Sequence, residues 1–80
     1  MERKIIAVTV EKRSEHAVKV QEILTKHGCV ITTRVGTSEA GCTERGLIIL
    51  QAFGENAEIV NLLDELNAFD DVKVNSMDIE

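Results

Sequence analysis

Lys4-Ile5-Ile6-Ala7-Val8-Thr9-Val10 is rich in β-branched residues and apolar at both odd and even positions. A strand sends successive side chains to opposite faces, so a run that is apolar on both belongs inside a sheet, with neighbours on either side. Gly46-Leu47-Ile48-Ile49-Leu50-Gln51-Ala52-Phe53 has the same character. These two stretches are expected to be the central strands of one sheet. If Ile6, Val8 and Val10 face one way, Ile5, Ala7 and Thr9 face the other; likewise Ile48, Leu50 and Ala52 oppose Leu47 and Ile49.

Working outward, each central strand leads into an amphipathic helix. After the first, Ser14 is placed to cap a helix through its hydroxyl. Ala17, Val20, Ile23 and Leu24 then recur at helical spacing, while Glu15 with Lys19 and Glu22 with Lys26 form pairs four residues apart on the outer side. Gly28, just past His27, is expected to end this helix in the left-handed conformation. Cys29-Val30-Ile31-Thr32-Thr33-Arg34-Val35 reads as a second strand, followed by a polar loop over 36–45 and the strand at 46–53. Gly54 closes that strand. Glu55 or Asn56 starts the second helix, whose inward set is Ile59, Leu62, Leu63 and Leu66. Asp70-Asp71 supplies a turn, and 72–77 forms a fourth, more polar strand.

The order βαββαβ with two amphipathic helices predicts an α+β, ferredoxin-like sandwich. Right-handed crossovers put both helices on one face of a four-stranded antiparallel sheet, with the first and third strands central. Residues 1–80 make a single domain. The opposite sheet face is then both apolar and uncovered, which marks an interface. A homo-oligomer, dimer or tetramer, is expected through that face or through an edge strand. A chain of 80 residues buries only roughly 60% of its unfolded surface, so a partner subunit also supplements a marginal core.

Composition narrows the function. The net charge of -5 opposes nonspecific nucleic-acid binding, which needs cations to neutralise phosphates. Phe53 and Phe69 are the only aromatic residues, so no platform of rings stacks bases. Residues 1–40 carry seven Lys/Arg against five Asp/Glu, and residues 41–80 carry two against nine. This asymmetry reads either as two differently solvated faces or as halves that attract across a subunit interface. The apolar runs are far below membrane-spanning length. With two cysteines, Cys29 and Cys42, and no disulfide framework, a cytoplasmic protein with reduced thiols is the expectation.

Residues able to carry chemistry are few. His16 and His27 stand at opposite ends of the first helix, eleven residues apart, and cannot share a metal within one chain. Both read as solvated helix residues. His27 and Cys29 flank Gly28 and amount to half a zinc site. Cys42 lies in the 36–46 loop, where a thiol can react, bind soft metal or bridge subunits, or be an ordinary surface residue. Glu55, Glu58, Asp64 and Glu65 read as the solvated face of the second helix, and no carboxylate pair recommends itself as an acid and base. Gly36, Gly41 and Gly46 recur every five residues but lack the strand-to-helix setting of a phosphate loop. Arg34 is the best placed cation for gripping an anion or carboxylate, an edge-strand salt bridge being the alternative. The candidate ligand-binding set is therefore Arg34, Gly36, Thr37, Gly41, Cys42 and Gly46. No enzyme, cofactor or metal site is expected from these residues. The alternative is a metal or redox sensor in which Cys42, Cys29 or His27 meet at a subunit junction.

Several short motifs add a resemblance. Ile23-Leu24…His27-Gly28, Arg34-Val35-Gly36, Gly46 opening an apolar strand, Leu62-Leu63-Asp64-Glu65-Leu66 and Val72-Lys73-Val74 follow one another along the whole chain. In this it resembles the ACT-like iron-only hydrogenase system regulators, a family similar to the C-terminal domain of nickel-responsive repressors. The resemblance implies an ACT-like fold and a non-enzymatic regulatory role, as an oligomer that binds a small effector or a protein partner. The nickel-responsive domains use a histidine-rich strand with a nearby cysteine, and Thr32 and Thr33 offer no such ligands, so the resemblance brings no nickel site with it. The chain has no ribbon-helix-helix or helix-turn-helix segment, so a part in transcription would be indirect.

Overall fold

The strand Glu2–Val10 (β1) pairs antiparallel with Gly46–Gly54 (β3) on one side and with Val72–Asp78 (β4) on the other. Ile31–Ser38 (β2) completes the sheet on the far side of β3, giving the order β2-β3-β1-β4. The helices Arg13–Lys26 (α1) and Asn56–Asn67 (α2) occupy the two crossovers, so the chain is an α+β, ferredoxin-like βαββαβ sandwich. The computed structural model describes residues 1–11, 13–38 and 46–79, without the side chains of 13–15 and 37–38. Gly41 and Cys42 lie outside the described residues. Among those described, no helix is long and apolar enough to cross a membrane.

The central strands divide by parity as their sequences imply. Ile6, Val8 and Val10 on β1 and Ile48, Leu50 and Ala52 on β3 are buried beneath the helices. Val20 and Leu24 from α1, Ile59, Leu62 and Leu66 from α2, and Val30 and Val72 complete that core. Cross-strand partners share a face, so register identifies the residues opposite. Ile5, Ala7, Thr9, Leu47, Ile49 and Phe53 line the uncovered side, where they are only half-buried by one another. Val35 and Met77 extend this surface at the edges, 50% and 63% exposed.

Three local expectations are corrected. Gly28 does not take the left-handed conformation. The helix ends instead through the His27 carbonyl, which accepts the amides of Val30 and Ile31 at 3.0 and 3.2 Å. Cys29 is held in that turn, exposed, and the second strand begins at Ile31 instead of residue 29. The third correction concerns its end: Gly36, Thr37 and Ser38 pair with Ile48, Leu47 and Gly46, so the strand runs three residues into the expected loop. The start of α2 agrees with expectation, as the Glu58 carboxylate accepts the Glu55 amide at 3.1 Å and caps the helix.

Candidate functional site

β2 carries a bulge at its start, and a groove opens beside it. Ile31 pairs with Ala52, but Thr33 pairs with Gln51 and Arg34 with Leu50, leaving Thr32 as the extra residue. The Thr32 hydroxyl donates to the Gln51 carbonyl at 3.1 Å, which fixes the bulge. One consequence follows from parity. Ile31 and Arg34, three residues apart, both lie on the helix side, sharing it with Ala52 and Leu50. They form the floor of a groove of about 310 Å³, walled by Leu24 and Thr25 of α1 and rimmed by Thr32 and Thr33.

The groove exists because α1 leaves the edge strand open. Gly36, two residues past Arg34 on the same side, has open space where a side chain would stand. A second, shallower depression of about 590 Å³ continues from Thr25 along Ala17, Val18, Gln21, Glu22 and Lys26. Arg34 is exposed and is the one charged side chain among the described residues of the groove. Its guanidinium keeps its proton under all ordinary conditions, so it can orient an anion but not transfer a proton.

The other flank of α1 faces the second half of the chain, and a histidine–carboxylate contact lies at each end of it. At the C-terminal end His27, nine-tenths buried, is hydrogen-bonded through Nε2 to Glu65 of α2. The other Glu65 oxygen accepts from Lys26 Nζ at 2.8 Å. Those two partners, Lys26 before His27, hold the Glu65 carboxyl below its ordinary range. At the N-terminal end His16 Nδ1 lies 2.5 Å from Asp71 Oδ1, with the His16 ring 5.0 Å from that of Phe69. The second approach is out of line for a hydrogen bond, and both Asp71 oxygens are buried without such a partner. It is an ion contact, attractive when His16 is protonated.

These contacts correct the reading of both histidines and of Glu65 as solvated helix residues. Lys26 reaches across to α2 instead of pairing with Glu22 on its own helix. The clue available in the sequence was position: His27 follows Leu24 by three residues, and Glu65 adjoins Leu66 and follows Leu62 by three, so each borders its helix's buried stripe.

The candidate set drawn from sequence separates in space. Arg34 and Gly36 share the helix side of β2, whereas Thr37 pairs with Leu47 and belongs to the opposite face. Arg34 is the fourth of eight strand residues, not a neighbour of the loop; Ser38, where the strand ends, is roughly 13 Å further along. Gly46 opens β3, buried between Val10 and Ser38. His27 is engaged by Glu65 while Cys29 is exposed in the adjoining turn, and among the described residues no three His, Cys, Asp or Glu side chains cluster as metal ligands would. The residues that sequence reasoning missed at this site are Leu24, Thr25, Ile31 and Thr32.

The uncovered sheet face carries its own polar feature. Arg3 and Phe53 are cross-strand partners, and the guanidinium sits over the ring, 4.9 Å from its centroid. On the helix side Lys4 is bonded to Asp78 at 2.7 Å, and the two bind β1 to β4 through the last pair of their register.

No family model and no curated protein matches the chain. Among solved structures, the uncharacterized protein TM1266 from Thermotoga maritima is similar over 99% of this chain and 98% of its own, with a TM-score of 0.89 and 24% identity. CPII, a nitrogen regulatory PII-like protein from Thiomonas intermedia K12 solved with ADP, AMP and bicarbonate, matches 100% of this chain and 94% of its own, with a TM-score of 0.62 and 14% identity. A formyltetrahydrofolate deformylase from Pseudomonas putida KT2440 has a TM-score of 0.58 and 16% identity; 95% of this chain covers 28% of that one. At these identities the likeness establishes the fold, which hosts binding proteins and parts of enzymes alike.

Proposed function

We infer that the protein is a non-enzymatic regulatory module, working as a homo-oligomer that takes a small effector or a protein partner. The observation that carries this reading is the uncovered face of the sheet. Ile5, Ala7, Leu47, Ile49 and Phe53 make this face largely apolar across the two central strands, interrupted by Gln51 opposite Ile5 and by Arg3 over Phe53, and the helices lie on the other side. A face of four strands, each about 4.8 Å apart and roughly 25 Å long, measures about 500 Å² in plan. With side-chain relief this is of the order that a stable dimer buries on each partner, about 800 Å².

The groove beside α1 supports the effector. Among its described residues only Arg34 is ionised, and it accepts no proton during a reaction, which favours binding over catalysis. The likeness to a PII-like regulatory protein solved with small ligands supports the same reading at the level of fold. The motif resemblance to iron-only hydrogenase system regulators is what supports hydrogenase assembly or expression as the regulated process.

Sedimentation equilibrium at low micromolar concentration tests the assembly. A dimer or tetramer is expected; a clean monomer of 8.8 kDa refutes the reading. A thermal-shift screen of organic acids, amino acids, nucleotides and metals tests the effector, since a ligand that prefers the native state raises Tm. Deleting the gene from a host that makes an iron-only hydrogenase should change hydrogenase activity, and an unchanged level removes that assignment.

A further inference from the structure

We propose that the groove between α1 and the bulged start of β2 binds a short-chain aliphatic monocarboxylate that carries no ammonium group. This rests on the effector-binding reading above and names the chemistry of its ligand. Four features of the groove point the same way.

The first is charge. Arg34 is the sole ionised side chain among the groove's described residues. One guanidinium fork matches one carboxylate, through two parallel N–H···O bonds. A diphosphate would place further negative charge, without a counter-ion, on a chain whose net charge is -5. The second is the lack of an acidic residue in that lining. The ammonium of an amino acid would find no carboxylate there and would lose hydration uncompensated. An acid without the amino group avoids that loss.

The third feature is the apolar floor. Leu24 is buried and Ile31 partly buried, and both border the groove. They suit an aliphatic tail of a few carbons, and the volume of about 310 Å³ stands at the lower end of small-molecule sites, about 300–1,000 Å³. No aromatic ring lines the groove to stack a base: Phe53 lies on the uncovered face beneath Arg3, and Phe69 packs on His16. Fourth, Thr25 offers a hydroxyl at the rim for a carboxylate lone pair that Arg34 leaves open. Thr32 contributes less, because its hydroxyl proton is given to Gln51.

The bulge is what brings these parts together. With a regular β2, Ile31 and Arg34 would point to opposite faces, and the cation and the apolar floor would never share a cavity.

The test is a titration of the whole chain followed by backbone amide chemical shifts, with isocaproate as the probe. Saturable shifts are expected at Thr25, Thr32, Thr33 and Arg34, with a dissociation constant in the millimolar range that suits an open groove. Isocaproamide, which keeps the shape and lacks the charge, should bind at least about tenfold more weakly. Free leucine and AMP should also be weaker. Arg34→Gln should lose binding by at least about tenfold, and Arg34→Lys should lie between, because it keeps the charge without the fork. Both variants alter an exposed side chain, and their unliganded spectra away from β2 report an intact fold. The inference is overturned by shifts that stay linear to about 20 mM isocaproate, by equal binding of isocaproamide, or by undiminished binding to Arg34→Gln. It is equally overturned if leucine or AMP binds better at these residues. An oligomer that binds another effector elsewhere would retain the regulatory reading and discard this one.

Discussion

The side chains of His27 and Glu65 meet between the two helices, joining the residue just past α1 to the last turn of α2. A carboxylate accepts and does not donate, so the proton in this bond resides on His27 Nε2. Lys26 holds the other carboxylate oxygen, and together the pair of cationic or donor groups favours ionised Glu65. The contact links the two βαβ halves on the side of α1 away from the groove.

Stability should therefore fall in acid partly through Glu65. Its folded pKa is lowered from the ordinary value of 4.5. A group depressed on folding contributes stability that is present in full above its unfolded pKa and is lost as pH falls through the folded value. Urea unfolding at pH 7 and at pH 3 should show Glu65→Gln destabilised at the higher pH and much closer to the parent at the lower. An equal deficit at both would assign the effect to shape and not to ionisation. His27→Ala should cost about 1–3 kcal/mol, since it empties a buried position and strips the carboxylate of its donor.

Leu50 and Ile49 are adjacent in sequence and opposite in role. Leu50 is fully buried under the helices, while Ile49 pairs with Ala7 on the uncovered face. Leu50→Ala should lower unfolding stability by about 2–5 kcal/mol, a large share of what a domain this small possesses. Ile49→Glu should leave the circular dichroism spectrum unchanged and shift sedimentation toward the monomer. If Ile49→Glu leaves the mass unchanged, the oligomer uses another surface, and an edge strand is the next to test.

The fold was legible because the two central strands are apolar on both faces and each is followed by a helix with a continuous apolar stripe. Ile6, Val8 and Val10 could be assigned to one face from period alone. The groove was not legible, for a specific reason. Thr32 and Thr33 are the same residue type, so nothing in the sequence says which one is the extra residue of a bulge, and a shift of one reverses every later side chain. That is why Arg34 was found as a cation but without its neighbours Leu24, Thr25 and Ile31. The His27–Glu65 bond joins residues 38 apart in sequence, and the angle at which two helices pack is not written in either helix's periodicity.

Cys29 offers a check on thiol chemistry. It is exposed in the turn between α1 and β2 and has no sulfur partner among the described residues. The native protein should therefore react at Cys29 with a thiol reagent about as fast as the urea-unfolded chain does. Cys29→Ser should leave stability within about 0.5 kcal/mol of the parent. Strong protection of this thiol in the native oligomer would show instead that the turn is covered by a partner subunit, and would revive a subunit-junction role for it.

Gly36 and Gly54 should respond in opposite senses to alanine. At Gly36 a methyl group meets nothing within 4 Å, and the backbone is not left-handed. Gly36→Ala should stabilise the protein by about 0.4–1 kcal/mol, mainly by restricting the unfolded chain. At Gly54 the same methyl would stand 3.3 Å from Val30 Cγ1 and 3.3 Å from Glu58 Oε1. Val30 is buried and cannot retreat without disturbing the core, while Glu58 Oε1 is the atom that caps α2. Gly54→Ala should thus destabilise by about 1–3 kcal/mol through crowding and a weakened cap. Urea midpoints for the two variants decide the matter. Should Gly36→Ala prove destabilising, the groove floor beside Arg34 is closed in solution, and the space available to a ligand is smaller than the open edge of β2 implies.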